Sequence, residues 1–283
     1  MLPIGLHLSF WQTKWDDDLE PLIIKTKEAG FDLCEFPLLA LDQIPLGRIR
    51  KALDDNAMKA SCSVGLNQSQ DVTSPHGQIR KQGIQFLRKC LEAARTLDSP
   101  VLVGVTYAPW GYFPDDDLIE RRKNSILSMK EAALIAQDLN VTLCLEVVNR
   151  FEGYLINTVA QGLEFLHEVN HSSIKLHLDT FHMNIEEDDI AGAIQLAGDQ
   201  LGHIHFAANN RKSPGRGHLD WDSLFVALQK IKYKNYVVAE VFVNPAGEVG
   251  RGLSTWRPLA YNLVQTAEET ALFLKKELSN VQL

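Results

Sequence analysis

Cysteine is scarce in this sequence, and long apolar runs are absent. The four cysteines are scattered among 283 residues with no CxxC or Cys/His spacing, so we expect buried thiols in a reducing compartment. No apolar run approaches the roughly 20 residues that span a bilayer, and the opening MLPIGLHLSFW lacks the basic region of a signal peptide. We therefore expect a cytoplasmic protein with no membrane partner.

Basic charge is also in deficit. The sequence has 28 Lys and Arg against 36 Asp and Glu, a formal net charge of −8. Because DNA and RNA binding requires a basic face, we expect no nucleic-acid partner. A GxGxxG motif after the first apolar run and a phosphate-binding P-loop are both missing, which argues against a dinucleotide-binding Rossmann domain.

Eight short apolar or β-branched runs are present instead, separated by segments with helical periodicity. The predicted strands are 3–10, 32–38, 60–66, 101–106, 141–148, 174–179, 202–207 and 236–243. Helical faces are clearest over 79–94 and 118–139. Ser74-Pro75 is typical of an N-cap followed by proline at the first helical position, and Gly30 of a glycine that closes the first helix.

Alternating strands and helices predict a parallel sheet. The eight units have no Gly-rich linker or break in composition between them. The sequence therefore predicts an α/β protein with one domain, residues 1–283, folded as a closed (β/α)8 TIM barrel. Single barrels of this kind commonly have about 250 residues.

Each of the last four predicted strands carries one metal-type ligand near its C-terminal end, where the active sites of barrel enzymes lie. These ligands are Glu146, Asp179, His205 and Glu240, which are 33, 26 and 35 residues apart. A single strand acid is more often paired with a lysine, but three carboxylates buried together are costly without a cation. A set of ligand atoms with several carboxylate oxygens and one histidine nitrogen suits Mn²⁺, Co²⁺ or Mg²⁺ better than structural zinc.

Other polar and aromatic side chains flank these strands. Aromatic rings at Trp11, Trp15, Trp110, Tyr112 and Phe242 fall on the same predicted rim, where they could stack on sugars or simply fill the barrel mouth. By strand alternation, His177 and His203 lie one layer deeper than Asp179 and His205, either as support for the site or as core residues.

Three strings resemble the ketose 3-epimerases, the D-tagatose and D-psicose (allulose) 3-epimerase group of xylose-isomerase-like TIM barrels. They are LEVVNRFE at 145–152, LDTFHMNIEE at 178–187 and NNRKSPGRG at 209–217. The resemblance covers essentially the whole chain. It implies a homodimer or homotetramer with one divalent metal ion per subunit, usually Mn²⁺ or Co²⁺, held by Glu146, Asp179, His205 and Glu240.

The resemblance also implies that Glu152, His182 and Arg211 bind the oxygens of a ketose. The full predicted substrate-binding set is Glu152, His182, Arg211, Trp110, Trp15, His7 and Phe242. Two departures from the pattern leave the preferred sugar open. His7 stands where relatives tend to carry an aromatic residue, and Ala207-Ala208 replaces an expected Gly-Glu pair.

These residues together lead to a hypothesis for the reaction. The chain inverts C3 of ketoses of the D-psicose/D-fructose or D-tagatose/D-sorbose type through a cis-enediolate, with Glu146 and Glu240 as opposed acid and base. The alternatives are an aldose–ketose isomerase on the same barrel and an epimerase of another ketose, such as a ketopentose or tetrulose. A related barrel nuclease is opposed by the acidic charge, and a non-catalytic sugar-binding barrel would not need two opposed acids.

Overall fold

A closed barrel of parallel strands forms the centre of the molecule, of which the computed structural model describes residues 1–283. The strands follow one another around the barrel in sequence order, and the last pairs with the first. They are β1 Ile4–His7, β2 Leu33–Pro37, β3 Lys59–Ser63, β4 Val101–Gly104, β5 Thr142–Glu146, β6 Ile174–Asp179, β7 Leu201–Phe206 and β8 Val237–Ala239. The predicted TIM barrel is thereby confirmed.

The strands are apolar because both of their faces are buried, as in other parallel sheets. Every residue of β1, β2 and β4 is buried. Each predicted strand contains or overlaps an observed one, but several predicted runs are too long. Val147, Val148, Val241 and Val243 follow β5 and β8 and remain buried in loops, so an apolar run marks burial here and not the extent of strand pairing.

Ten helices surround the barrel. They are α1 Glu20–Glu28, α2 Leu46–Asn56, α3 Gly77–Thr96, α4 Leu118–Leu139, α5 Val159–Val169, α6 Thr180–Glu186, α7 Ile190–Ala197, α8 Trp221–Lys230, α9 Gly247–Gly252 and α10 Leu263–Asn280. The prediction over 118–139 matches α4, and 79–94 lies inside α3. No helix combines the length and the apolarity that crossing a bilayer would take.

The two predictions of helix ends had different outcomes. Gly30 follows the end of α1 with a φ of +96°, a left-handed conformation that favours glycine, so that prediction is confirmed. The N-cap predicted at Ser74 is wrong, because α3 begins at Gly77 with His76 as its N-cap. Ser74 Oγ instead accepts a hydrogen bond from the His76 backbone nitrogen, which stabilises the turn before the helix.

The four cysteines are buried and free, as the sequence predicts. Burial raises the pKa of the Cys34 and Cys144 thiols to about 12, so neither thiol is a nucleophile near neutral pH. No cysteine lines the cavity described next.

Candidate active site

A cavity opens at the C-terminal ends of the strands. The last residues of β1, β2, β3, β4 and β5 contribute to its lining, as the barrel geometry requires. Ten of the eleven residues predicted for the site line this cavity: His7, Trp15, Trp110, Glu146, Glu152, His182, His205, Arg211, Glu240 and Phe242. The eleventh, Asp179, is fully buried and contacts Arg211.

The predicted ligand quartet, Glu146, Asp179, His205 and Glu240, is assembled at one point. One potential ligand atom from each residue lies within 4.8 Å of those of the other three. His205 Nδ1 is 3.4 Å from Glu240 Oε1 and 4.0 Å from Asp179 Oδ2. All four residues are buried. The residue types and the short distances between their ligand atoms are those that a divalent cation requires.

The electrostatics of the quartet also suit a cation. Burial, together with the charge of Glu240, raises the pKa of Glu146 well above its ordinary value. Burial likewise raises the pKa of Asp179 to about 6. His205 Nδ1 is buried without a hydrogen-bond partner. A bound cation would favour the ionised carboxylates and would give this nitrogen a partner.

Arg211 supplies the nearest positive charge. It lies in a tight turn after β7, with a φ of +59° and a hydrogen bond from its backbone nitrogen to Ala208 O. Its guanidinium lies between two rings, 4.0 Å from the centroid of Phe181 and 4.6 Å from that of Phe242. Nη1 donates to Asp179 Oδ2 at 2.6 Å and to Glu240 Oε2 at 2.8 Å. This cation–π sandwich fixes the charge beside the quartet.

Glu152 forms a polar part of the cavity wall. Its carboxylate accepts hydrogen bonds from Trp110 Nε1 at 2.9 Å and from Asn149 Nδ2 at 3.0 Å. Burial opposes ionisation, but His182, Arg211 and these two donors hold the pKa of Glu152 below its ordinary value. A fixed, ionised carboxylate of this kind can accept hydrogen bonds from sugar hydroxyls.

His182 lies between Glu152 and the quartet. Burial and the neighbouring charge of Arg211 lower the pKa of His182 to about 3, so its ring is neutral. Its Nδ1 accepts a hydrogen bond from the backbone nitrogen of Asn149, and its Nε2 lies 3.5 Å from Glu146 Oε1. Nε2 is therefore the ring atom that faces the quartet.

His7 adds a second neutral imidazole to the wall. Its ring nitrogens are 2.6 Å from Ser9 Oγ and 2.9 Å from Ser63 Oγ, and burial lowers its pKa. The ring also packs edge-on against Phe242. His7 thus presents a planar ring, as an aromatic residue would, but with hydrogen-bonding atoms.

Two of the five aromatic residues expected on the rim are not part of the cavity wall. Trp11 and Tyr112 do not line the cavity. The Trp11 ring packs against Phe10 in the core, and its Nε1 donates to Thr26 Oγ1 on α1. Tyr112 lies 5.9 Å from the guanidinium of Arg121. Position near a strand end did not distinguish these rings from Trp15 and Trp110.

The sequence analysis missed one member of a buried polar layer beneath the quartet. His177 and His203 do lie deeper than Asp179 and His205, as predicted, and both are fully buried. Glu35 on β2 shares this layer, although it was not singled out. It is an acid inside the apolar run DLCEFPL, which is the same signal that identified Glu146.

Comparison with known proteins gives one consistent result. The profile of the family described as xylose isomerase-like TIM barrel matches residues 23–271. The D-psicose 3-epimerase of Ruminiclostridium cellulolyticum is 37% identical over 261 residues, 90% of this chain and 89% of that protein. The L-ribulose 3-epimerase of a Methylomonas species is 35% identical over 280 residues, 97% of each chain.

A solved structure agrees with these sequence matches. The crystal structure of D-psicose 3-epimerase with D-tagatose, from Clostridium cellulolyticum H10, has a TM-score of 0.93 and 34% identity. The similarity covers 98% of this chain and 99% of that one. It therefore includes the strand ends and the loops that form the cavity.

Proposed function

The chain belongs to the ketose 3-epimerases of the xylose isomerase-like TIM barrel family, and on that basis we propose that it is a metal-dependent enzyme that inverts C3 of free ketoses. Relatives named for D-psicose and L-ribulose make ketohexoses and ketopentoses the first substrates to test. Enzymes of this type belong to the isomerase class.

The arrangement of Glu146 and Glu240 carries the proposal. Inversion requires one group that removes a proton from C3 and another that delivers a proton to the opposite face. In the metal-free protein, burial opposes ionisation of Glu240, but His205 and Arg211 hold its pKa well below the ordinary value, whereas the pKa of Glu146 is raised. Two carboxyl groups whose surroundings drive their pKa values apart form a natural base and acid.

The proposed reaction uses these two groups in turn. The proton on C3 is acidic because C3 adjoins the C2 carbonyl. Ionised Glu240 removes this proton to give a cis-enediolate, and protonated Glu146 returns its own proton to C3 from the other face. The two glutamates thereby exchange protonation states, so the epimer is converted back with their roles reversed. Acid–base catalysis of this kind contributes about 10²–10⁴-fold to the rate.

The quartet Glu146, Asp179, His205 and Glu240 would hold the divalent metal, with Mn²⁺ or Co²⁺ expected before Mg²⁺. When bound, the metal supplies Lewis acidity that stabilises the negative charge of the enediolate oxygens. The closeness of the four ligand atoms and the unpartnered His205 Nδ1 support this assignment.

The remaining residues of the cavity would orient the sugar. Arg211 and His182 lie beside the quartet and would bind oxygens near C2 and C3, and Glu152 would accept from a hydroxyl. The rings of Trp15, Trp110 and Phe242 offer apolar faces for the C–H surfaces of the sugar.

The direct test is to strip the protein of metal, reload it with Mn²⁺, Co²⁺ or Mg²⁺, and incubate each form with ketopentoses and ketohexoses in deuterated water. We expect metal-dependent C3 epimers that carry deuterium at C3. Deuterium at C1 or C2 would instead indicate an aldose–ketose isomerase. No metal-dependent epimer from any sugar would overturn the proposal.

The assignment of the two glutamates has its own test. We expect Glu146→Gln and Glu240→Gln each to lower kcat by at least about 10²-fold, because each removes one proton-transfer group. Glu164→Gln, an exposed change on α5, is the matched control and should retain full activity. Near-normal epimerisation by either active-site variant would contradict the two-base mechanism.

The subunit number and the cellular location stay predictions. A homodimer or homotetramer is expected from the resemblance, and sedimentation velocity would measure it. A cytoplasmic location is expected from the free, buried cysteines.

A further inference from the structure

Glu35 is a buried carboxylate directly behind the proposed metal centre. It lies on β2 between His7 of β1 and Ser61 of β3 in the strand register, and it has no exposed surface. It does not line the cavity, so it cannot contact a sugar there. A charge inside a barrel is costly unless neighbouring groups compensate for it, so its contacts indicate what it does.

The main contact of Glu35 is with His205. Glu35 Oε1 lies 2.6 Å from His205 Nε2. The other ring nitrogen, Nδ1, is the one that lies near Glu240 and Asp179. The imidazole is therefore held between carboxylates on both sides. Nδ1 is directed towards Glu240 and Asp179, and Nε2 is directed towards Glu35.

We propose that Glu35 is a positioning residue for the metal centre: by accepting the Nε2–H of His205, it orients the ring and leaves the lone pair of Nδ1 free for the cation. A neutral imidazole carries only one N–H, so a proton held on Nε2 cannot block Nδ1. The carboxylate also increases the basicity of the ring as a ligand. The inference rests on the metal dependence proposed above.

Glu35 is itself held in place from the other side. Ser61 Oγ donates to Glu35 Oε2 at 2.7 Å, and His203 Nε2 lies 2.9 Å from the same oxygen. With Oε2 anchored in this way, Oε1 remains directed at His205. Removing a contact of this kind behind a metal-binding histidine typically lowers metal affinity about 10–100-fold.

The test compares Glu35→Gln with Ser61→Ala, which removes one of the two contacts that hold Glu35 but leaves the Glu35 carboxylate beside His205. Binding of Mn²⁺ is measured from the electron paramagnetic resonance signal of the free ion. We expect the Kd of Glu35→Gln to rise about 10–100-fold and that of Ser61→Ala to rise less than that of Glu35→Gln. Circular dichroism of the metal-free proteins checks that both are folded.

A purely structural role for Glu35 predicts a different result. In that case the two variants would lose thermal stability but bind Mn²⁺ as tightly as the unsubstituted protein, which would overturn the inference while leaving the proposed function intact. If the unsubstituted protein bound no Mn²⁺, the proposed metal dependence would be overturned and this inference with it.

A second measurement needs no variant at Glu35 and keeps the inference open to contradiction if Glu35→Gln does not fold. Protein labelled with ¹⁵N-histidine and saturated with Mg²⁺ is observed by long-range ¹H–¹⁵N correlation, with His205 identified by the signals lost in His205→Asn. We expect His205 to carry its proton on Nε2. A proton on Nδ1 would overturn the inference.

Discussion

The carboxyl groups of the cavity differ because their immediate neighbours differ. Glu146 has burial and like charge around it, which raise its pKa. Glu152 is surrounded by donors and by Arg211, and its pKa is lowered. At the scale of single residues, it is this contrast that separates a group able to deliver a proton from one suited to accept hydrogen bonds.

The contribution of Trp110 to Glu152 can be tested by Trp110→Phe, which retains an aromatic ring and removes the Nε1 donor. Loss of a hydrogen bond to a charged group should lower kcat/KM about tenfold. It should also move the acidic limb of the pH profile to higher pH, since this donor lowers the pKa of Glu152.

The control for this variant is Trp15→Phe. Trp15 lines the same cavity but donates no hydrogen bond to Glu152, whose donors are Trp110 and Asn149, so the acidic limb should stay in place. An unchanged profile in Trp110→Phe would show that the hydrogen bond does not govern the ionisation of Glu152.

The residues of the site differed in how far the sequence could reveal them. Glu146, Asp179 and Glu240 were predictable because an acid near the end of an apolar strand is conspicuous, and the spacing repeats with the βα unit. Glu35 carries the same local signal, but its partner His205 is 170 residues away. Nothing local to β2 indicates that contact, because it depends on the closure of the barrel.

At the scale of elements, the junction of β6 and α6 links the fold to the site. Asp179 ends β6 and is also the N-cap of α6, where its Oδ1 accepts a hydrogen bond from the Phe181 nitrogen at 2.7 Å. Its Oδ2 faces Arg211. One side chain therefore begins the helix that carries His182 and contributes to the quartet.

These two roles of Asp179 can be separated by substitution. Asp179→Asn retains an oxygen that can cap α6 but loses the charge, whereas Asp179→Ala loses both. We expect both variants to bind Mn²⁺ at least about tenfold more weakly. Without metal, the alanine variant should be less stable than the asparagine variant by about 1 kcal/mol, which is typical of a lost N-cap. Equal melting temperatures for the two metal-free variants would contradict the capping role.

Element types were predicted better than element ends. The period of apolar residues identifies β strands and helices because it reflects which face is buried. The start of α3 depended on the turn around Ser74 and His76, where either residue has a plausible capping role. The choice between them is made by the geometry of the preceding loop, which the sequence pattern does not contain.

At the scale of the whole molecule, the barrel holds together ionisable groups that repel one another without metal. Burial raises the pKa of Asp179 to about 6, above its ordinary value of 3.8. The metal-free fold therefore loses stability as pH rises from 3.8 to about 6. In this range Asp179 ionises readily in the unfolded chain but is still protonated in the fold. The raised pKa of Glu146 acts in the same direction.

A bound cation should reverse this loss of stability. At about 100 times Kd, a ligand stabilises the fold by about 2.7 kcal/mol, which is roughly 5 to 10 °C in Tm for a domain of this size. We expect the increase in Tm on adding Mn²⁺ to approach this temperature range at pH 7 and to become smaller as pH falls below 6. Thermal unfolding from pH 5 to 8, with and without Mn²⁺, measures it. An increase in Tm that is independent of pH would contradict the prediction.

The proposed metal ligands and the cavity walls come from different parts of the chain. Glu146, Asp179 and His205 lie on strands and Glu240 directly follows one, whereas Trp15, Trp110 and Phe242 lie in loops. Strands are constrained by their neighbours on both sides, but loops tolerate substitution and changes of length. In evolutionary terms, selection can therefore reshape the choice of sugar through the loops while the chemistry is inherited unchanged.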